Sequence, residues 1–341
     1  MYTANPTCHP APGNNVSTDQ AFESLSPDTV IDAIESTGRL SDLRIFALNS
    51  YENRVYQVGI EDEKPVIVKF YRPGRWSDES ILEEHRFSVE LADAELPVVA
   101  PIRDSEGKTL IRFGDFRFSL YTRVGGYTPE LEDPDQLLSL GRILGRMHAI
   151  GAVSDFRNRP TVDIASYAVE SMEFIARGFI PDGLRTPYTT LCESLIKQLE
   201  ADYQPGNDAL IRTHGDLHKG NILWRDDDLC LVDLDDCRMA PAIQDIWMLL
   251  AGEAHEKRVQ LSEIVDGYEE FNDFPVNQLR WIEPLRTLRI MHYAAWLARR
   301  WSDPAFPMHF PWFNTDRYWS EHILELREQL AAMQEEPLRL L

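Results

Sequence analysis

Cysteine is scarce. The 341 residues include four, Cys8, Cys192, Cys230 and Cys237. They form no CxxC pair and no dense framework, so a disulfide scaffold is excluded and the thiols read as reduced in a cytoplasmic protein. Positive charge is also short: 34 Lys and Arg stand against 56 Asp and Glu, a formal net charge of −22. That balance argues against a sequence-independent grip on nucleic acid or an anionic membrane. It leaves room for an anionic nucleotide, because a few local cations and Mg²⁺ can hold phosphates. No apolar run is long enough to span a bilayer, and no basic start followed by an apolar run suggests a secretory signal. There is no Walker A motif, and no G-x-G-x-x-G between Arg44 and Val124. What is present fits a globular chain, with 43% apolar and 10% aromatic residues. The length exceeds one ordinary core and suggests two lobes.

The most informative stretch is Thr213-His214-Gly215-Asp216-Leu217-His218-Lys219-Gly220-Asn221, which runs into the apolar Ile222-Leu223-Trp224. Leu229 to Val232 follows as an apolar strand ending in Asp233, Asp235 and Asp236. Together they read as a hairpin whose two ends meet at one site. Phosphoryl transfer needs a carboxylate to take the proton of the attacking hydroxyl, and oxygen ligands for Mg²⁺ on the nucleotide phosphates. Asp216 is the candidate base, and Asn221 and Asp233 are the candidate metal ligands. Their order is that of protein-kinase catalytic and metal loops. Two blander readings compete. An acid at a strand end is usually a turn former or a helix cap. His214, Asp216 and His218 alternate, so they could also be transition-metal ligands on one strand face.

His214-Gly215-Asp216 through Asn221, with Val232-Asp233, resembles the aminoglycoside-phosphotransferase branch of the protein-kinase-like fold. Leu48 to Tyr56 and Val68-Lys69-Phe70-Tyr71-Arg72-Pro73 are similar to the bacterial stress response kinase A family, from about Leu25 to near the C-terminus. The resemblance implies an α+β, bilobal fold with a small β-rich N-lobe and a larger helical C-lobe. It implies a cytoplasmic Ser/Thr protein kinase using ATP and Mg²⁺. Lys69, among apolar strand residues, resembles the lysine that contacts the nucleotide phosphates and pairs with a helix glutamate. Glu84 is the expected partner, with Glu83 a close competitor. Ser50, beside Asn49, would lie near the phosphates, though an ordinary hairpin turn fits that stretch equally. His218 would touch the transferred group. Asp245 resembles the buried acid that accepts backbone N–H groups of the catalytic loop.

Residues 1–24, rich in Pro, Asn, Thr and Ser, read as a flexible tail. Residues 25–124 read as the N-lobe and 125–341 as the C-lobe. Ser26-Pro27 opens a first helix, which Gly38 would end. Helices are expected from Ser77 to Leu91, Leu137 to Gly151, within Tyr167 to Tyr203, and over Trp281 to Trp301 and Ile323 to Met333. Tyr121 to Gly126 is the candidate interlobe linker, and the aromatic segment from Pro304 to Trp319 reads as packing. A monomer is expected. One feature opposes a protein acceptor: Asp233 to Asp245 is too short for a long phosphorylatable activation loop and removes much of a peptide platform. A small-alcohol kinase for homoserine, choline or an aminoglycoside is therefore the rival, and a nucleotide-binding pseudokinase the third reading.

Overall fold

The structure, a computed structural model, describes residues 22, 24–48, 50–225 and 228–341. The expected tail therefore lies almost wholly outside the described residues, as do Cys8 and Asn49.

The first lobe is an antiparallel sheet of β1 (Ser41–Ala47), β2 (Arg54–Ile60), β3 (Val66–Phe70), β4 (Ile111–Phe113) and β5 (Phe116–Thr122), in the order β1-β2-β3-β5-β4. Alternation in β3 sends Val66, Val68 and Phe70 to one face and Ile67 and Lys69 to the other. The first face packs on Val30, Ala33 and Ile34 of helix α1 (Pro27–Glu35), with Phe118 and Leu120 of β5. Ser26 caps α1, accepting from the Thr29 N–H at 3.1 Å. Burial of such side chains stabilises the fold by roughly 1.5–3 kcal/mol each. Over the opposite face lies α2 (Asp78–Asp93), which brings Glu84 and His85 beside Lys69. Ser77 caps it, and Asp78 and Glu79 in its first turn suit the helix dipole.

A second, larger core is helical. It contains α3 (Pro134–Gly151), α4 (Glu170–Gly178), α5 (Asp182–Asp202), α6 (Ala254–Tyr268), α7 (Ile282–Arg299), α8 (Ala305–His309) and α9 (Asp316–Ala332). Helix α3 starts earlier than the apolar stripe alone suggests, because Asp133 caps it and Pro134 occupies the first turn. The helical region after Tyr167 is broken between α4 and α5, where Pro181 precedes the new helix. Helix α9 begins well before Ile323, where Thr315 accepts from the Tyr318 N–H at 3.1 Å. Gly141 of α3 lies against the Ile264 carbonyl of α6, where any side chain would collide, so these helices meet backbone to backbone.

Two small antiparallel strand pairs carry the catalytic text. β6 (Ile211–Thr213) pairs with β9 (Arg238–Ala240), and β7 (Ile222–Arg225) pairs with β8 (Asp228–Leu231). Near the cleft, backbone bonds help to join the lobes: Leu231 N–H donates to Pro97 O at 2.8 Å, and the chain just after the linker is pinned where Trp224 N–H donates to Tyr127 O at 2.8 Å. The segment from Leu234 to Asp245 is two tight turns with β9 between them, nearly all buried, and forms no free loop.

Candidate active site

The catalytic loop begins where β6 stops. Gly215 has φ +82°, and a side chain there would strike the Asp236 carbonyl. Only glycine takes this conformation at such close range without strain. Asp245, fully buried, accepts the backbone N–H groups of His214 at 2.7 Å and Gly215 at 2.8 Å. His148 joins the same carboxylate at 3.2 Å and meets the Tyr268 hydroxyl at 3.1 Å. Gln244 donates to the Gly215 carbonyl at 2.9 Å. The His214 ring, also fully buried, donates to the Val232 carbonyl at 3.0 Å. These bonds dispose of the alternating-ligand reading. The strand ends at Thr213, and His214 points into the core while Asp216 and His218 line the cleft. Among the described residues no three His, Cys, Asp or Glu side chains gather as a metal cluster.

The cleft encloses about 520 Å³ and brings Ser50, Asp216, His218, Asn221 and Asp233 together. The Asn221 amide N–H donates to the Asp216 carbonyl at 3.0 Å, which leaves its oxygen as the remaining polar atom. Its own carbonyl takes the Val232 N–H at 3.0 Å, so the loop is tied to the residue before Asp233. Asp233 is left-handed, at φ 62° and ψ 66°, and its side chain is 56% exposed to the cleft. The Asn221 oxygen and the Asp233 carboxylate are hard donors, and this set fits a divalent metal such as Mg²⁺. His218 stands 3.7 Å from Asp216. Burial holds its imidazole below the ordinary histidine range, against the pull of Asp216.

Lys69 enters from the other lobe. It is 6% exposed, with its ammonium 3.0 Å from Asp233, 3.0 Å from Asp235 and 3.6 Å from Glu84. Burial would lower its pKa, but Asp233, Asp235 and Glu84 together hold it well above the lysine range. Burial pushes Glu84 up to about 7 despite Lys69. Glu83 points elsewhere, accepting the backbone N–H groups of Arg157 at 2.9 Å and Asn158 at 2.7 Å. The structure thus separates two adjacent glutamates that the sequence could not.

Several polar residues of the site escaped the sequence reading. Asp235 is 3% exposed and pairs with Lys69 and Arg75. Burial opposes its ionisation, yet those two cations hold its pKa at about 2. Asp236 binds Arg75 at 2.7 Å and Arg238 at 2.6 Å. Asn53 donates to Asp235 at 3.1 Å and accepts the Arg72 N–H at 3.1 Å. Glu52 accepts from Trp296 at 2.8 Å and pairs with Arg72 at 3.2 Å. The lip carrying Ser50 is therefore fastened to both lobes. Glu52 and Asn53 lay within the segment singled out by resemblance; Arg75, in a Pro-Gly turn, carried no signal.

Helix α7 forms the far wall. Arg289, His292, Tyr293 and Trp296 fall at i, i+3, i+4 and i+7 and all line the cleft. Arg289 pairs with the Asp216 carboxylate at 2.5 Å. From the aromatic segment, Phe310 also reaches the cleft, and Tyr51 packs edge-on to it at 4.9 Å. That segment is mostly packing, as expected, with one side turned to the site.

A β-rich lobe over a helical one, with an Asp-Asn-Asp constellation facing a buried lysine, defines a protein-kinase-like phosphotransferase. The chain belongs to the phosphotransferase enzyme family, whose profile matches residues 44–282. Within that family it belongs with stress response kinase A. The Escherichia coli K12 protein of that name is 44% identical over 320 residues, covering 94% of this chain and 97% of that protein. A Salmonella typhimurium relative named serine/threonine protein kinase RdoA is 42% identical, with the same coverage. Solved structures share the fold. An amicoumacin kinase in complex with AMP-PNP and Ca²⁺ superposes with a TM-score of 0.68 at 21% identity, over 87% of this chain and 90% of that one. A microcompartment-associated aminopropanol kinase gives 0.65 at 19% identity, over 92% and 100%. The chain is a kinase.

Proposed function

We propose that this kinase transfers the γ-phosphoryl group of ATP to Ser or Thr hydroxyls of proteins in the cytoplasm. The carrying observation is the convergence of Asp216, Asn221 and Asp233 on one cleft opposite Lys69. Asp216 orients the acceptor hydroxyl and takes its proton. Asn221 and Asp233 would hold Mg²⁺, which when bound neutralises charge on the phosphates. Lys69, positioned by Glu84, meets the nucleotide phosphates from the other lobe, and Ser50 lies near them. His218 is placed to touch the group in transfer. Asp245 keeps the loop in register. The protein acceptor is supported by the names of the 42–44% identical relatives.

A second reading has its own observation. The segment from Leu234 to Asp245 is buried turns and offers no peptide platform, which favours a small alcohol. Labelled ATP, Mg²⁺ and either protein or metabolite acceptors separate the two. Asp216→Ala tests the mechanism: a positioned base contributes about 10²–10⁴ in rate. Turnover like the parent's in that variant, with nucleotide binding retained, removes Asp216 from the reaction.

A further inference from the structure

Among the described residues, Asp216 is the one carboxylate paired with Arg289. The other cleft arginines are differently occupied. Arg75 is held by Asp235 and Asp236, and Arg238 by Asp236 and the Tyr167 hydroxyl. Arg289 thus rests on the group that the reaction needs as a proton acceptor. While that pair holds, the guanidinium of Arg289 occupies Asp216 Oδ1, an oxygen the acceptor hydroxyl would need. Its side chain is 38% exposed, so it has room to move away. One turn along the same helix face, His292 stacks on Tyr167 at 4.3 Å between ring centroids, and its buried Nδ1 has no hydrogen-bond partner. This wall therefore holds a cation with a replaceable partner and an unused polar atom beside it.

We propose that Arg289 is a specificity residue: it leaves Asp216 for an anionic group, carboxylate or phosphate, on a residue flanking the acceptor Ser or Thr. The inference deepens the protein-kinase reading and rests on it. As the acceptor docks, its anion takes the guanidinium in a charge-assisted, two-point contact. Asp216 is then released to receive the hydroxyl proton. The hydroxyl oxygen forms its bond to the γ-phosphorus while the bond from that phosphorus to the β,γ-bridging oxygen breaks, and ADP leaves with the electron pair. An ammonium in this place would meet Arg289 directly, so acceptors of the choline or aminoglycoside kind are disfavoured.

The test uses the full chain with ATP and Mg²⁺. Four peptides carry one Ser flanked on both sides by Asp, phosphoserine blocked to further reaction, Gln or Lys. Glycerate, glycerol and ethanolamine serve as small-alcohol counterparts. The intact protein should favour the Asp and phosphoserine peptides over the Lys peptide by about 10- to 100-fold in kcat/KM, the worth of one charge-assisted hydrogen bond. Arg289→Gln should bring that ratio to within about threefold, chiefly through KM, and Arg289→Lys should keep part of it. The two anionic peptides show whether carboxylate or phosphate is preferred. No charge preference in the parent, or a preference that survives Arg289→Gln, overturns the role of Arg289 but leaves the protein kinase standing. Labelling of glycerate alone, with its preference lost in Arg289→Gln, overturns the protein acceptor and keeps Arg289. Transfer to none of them overturns both.

Discussion

Replacing Asp245 by alanine separates a structural acid from a catalytic one. Its carboxylate is fully buried and takes two backbone N–H groups at 2.7 and 2.8 Å and the His148 ring at 3.2 Å. Asp245→Ala leaves three donors in a dry interior. A buried donor without a partner costs about 1–3 kcal/mol, so for three the loss should be about 3–9 kcal/mol. That is a large part of an ordinary stability of about 5–15 kcal/mol. Asp245→Asn keeps one oxygen but turns an N–H₂ toward an N–H, so about 2–3 kcal/mol should go. Because Gly215 is the residue before Asp216, both variants should also lower kcat at temperatures where they remain folded. Urea unfolding measures the first effect, with an unchanged slope showing that the same surface is exposed. Single-turnover phosphotransfer measures the second. A loss under about 1 kcal/mol for Asp245→Ala at unchanged slope would refute the claim that these bonds hold the loop.

Lys69→Met should leave Asp233, Asp235 and Glu84 facing one another without their shared ammonium. Breaking a buried pair costs about 3 kcal/mol or more, and ATP affinity should fall at least about tenfold; calorimetric nucleotide binding that matches the parent would contradict this. His85 predicts the acid response. It is 2% exposed, bound to the Tyr71 hydroxyl at 2.8 Å and to Thr109 at 2.8 Å, and burial lowers its pKa to about 3. The unfolded chain takes a proton there near pH 6.5 while the folded one does not, so stability is full above that pH and drains as pH falls toward 3. Between pH 6.5 and 5 the His85 contribution should fall by roughly 1.5 kcal/mol, while Glu84, raised to about 7, works in the opposite sense over the same window. His85→Gln should therefore gain stability relative to the parent as pH falls from 6.5 to 5, and a stability difference between the two that does not change with pH would count against it.

The sequence alone determined what local chemistry can determine. Ser26 and Ser77 mark helix starts because an oxygen there meets orphan N–H groups, and β3 alternates because a strand does. The loop through Asp216 and Asn221 was legible because spacing within one hairpin delivers both ends to one place. The choice between Glu83 and Glu84 was not, since both lie within one turn of the same helix and only packing assigns one to Lys69 and the other to Arg157 and Asn158. Nor could spacing show that His214 turns inward, because that depends on the Gly215 turn and a carbonyl just past the end of β8. Asp235 read only as one of three acids after a strand; the tertiary structure gives it Lys69, Arg75 and Asn53, more than 150 positions away in the chain. Arg289 lies 73 residues beyond Asp216, in a helix whose pattern speaks only of burial. Local propensity is written in neighbouring residues, but a carboxylate's partner is whichever cation the fold carries to it, and that was decided in three dimensions.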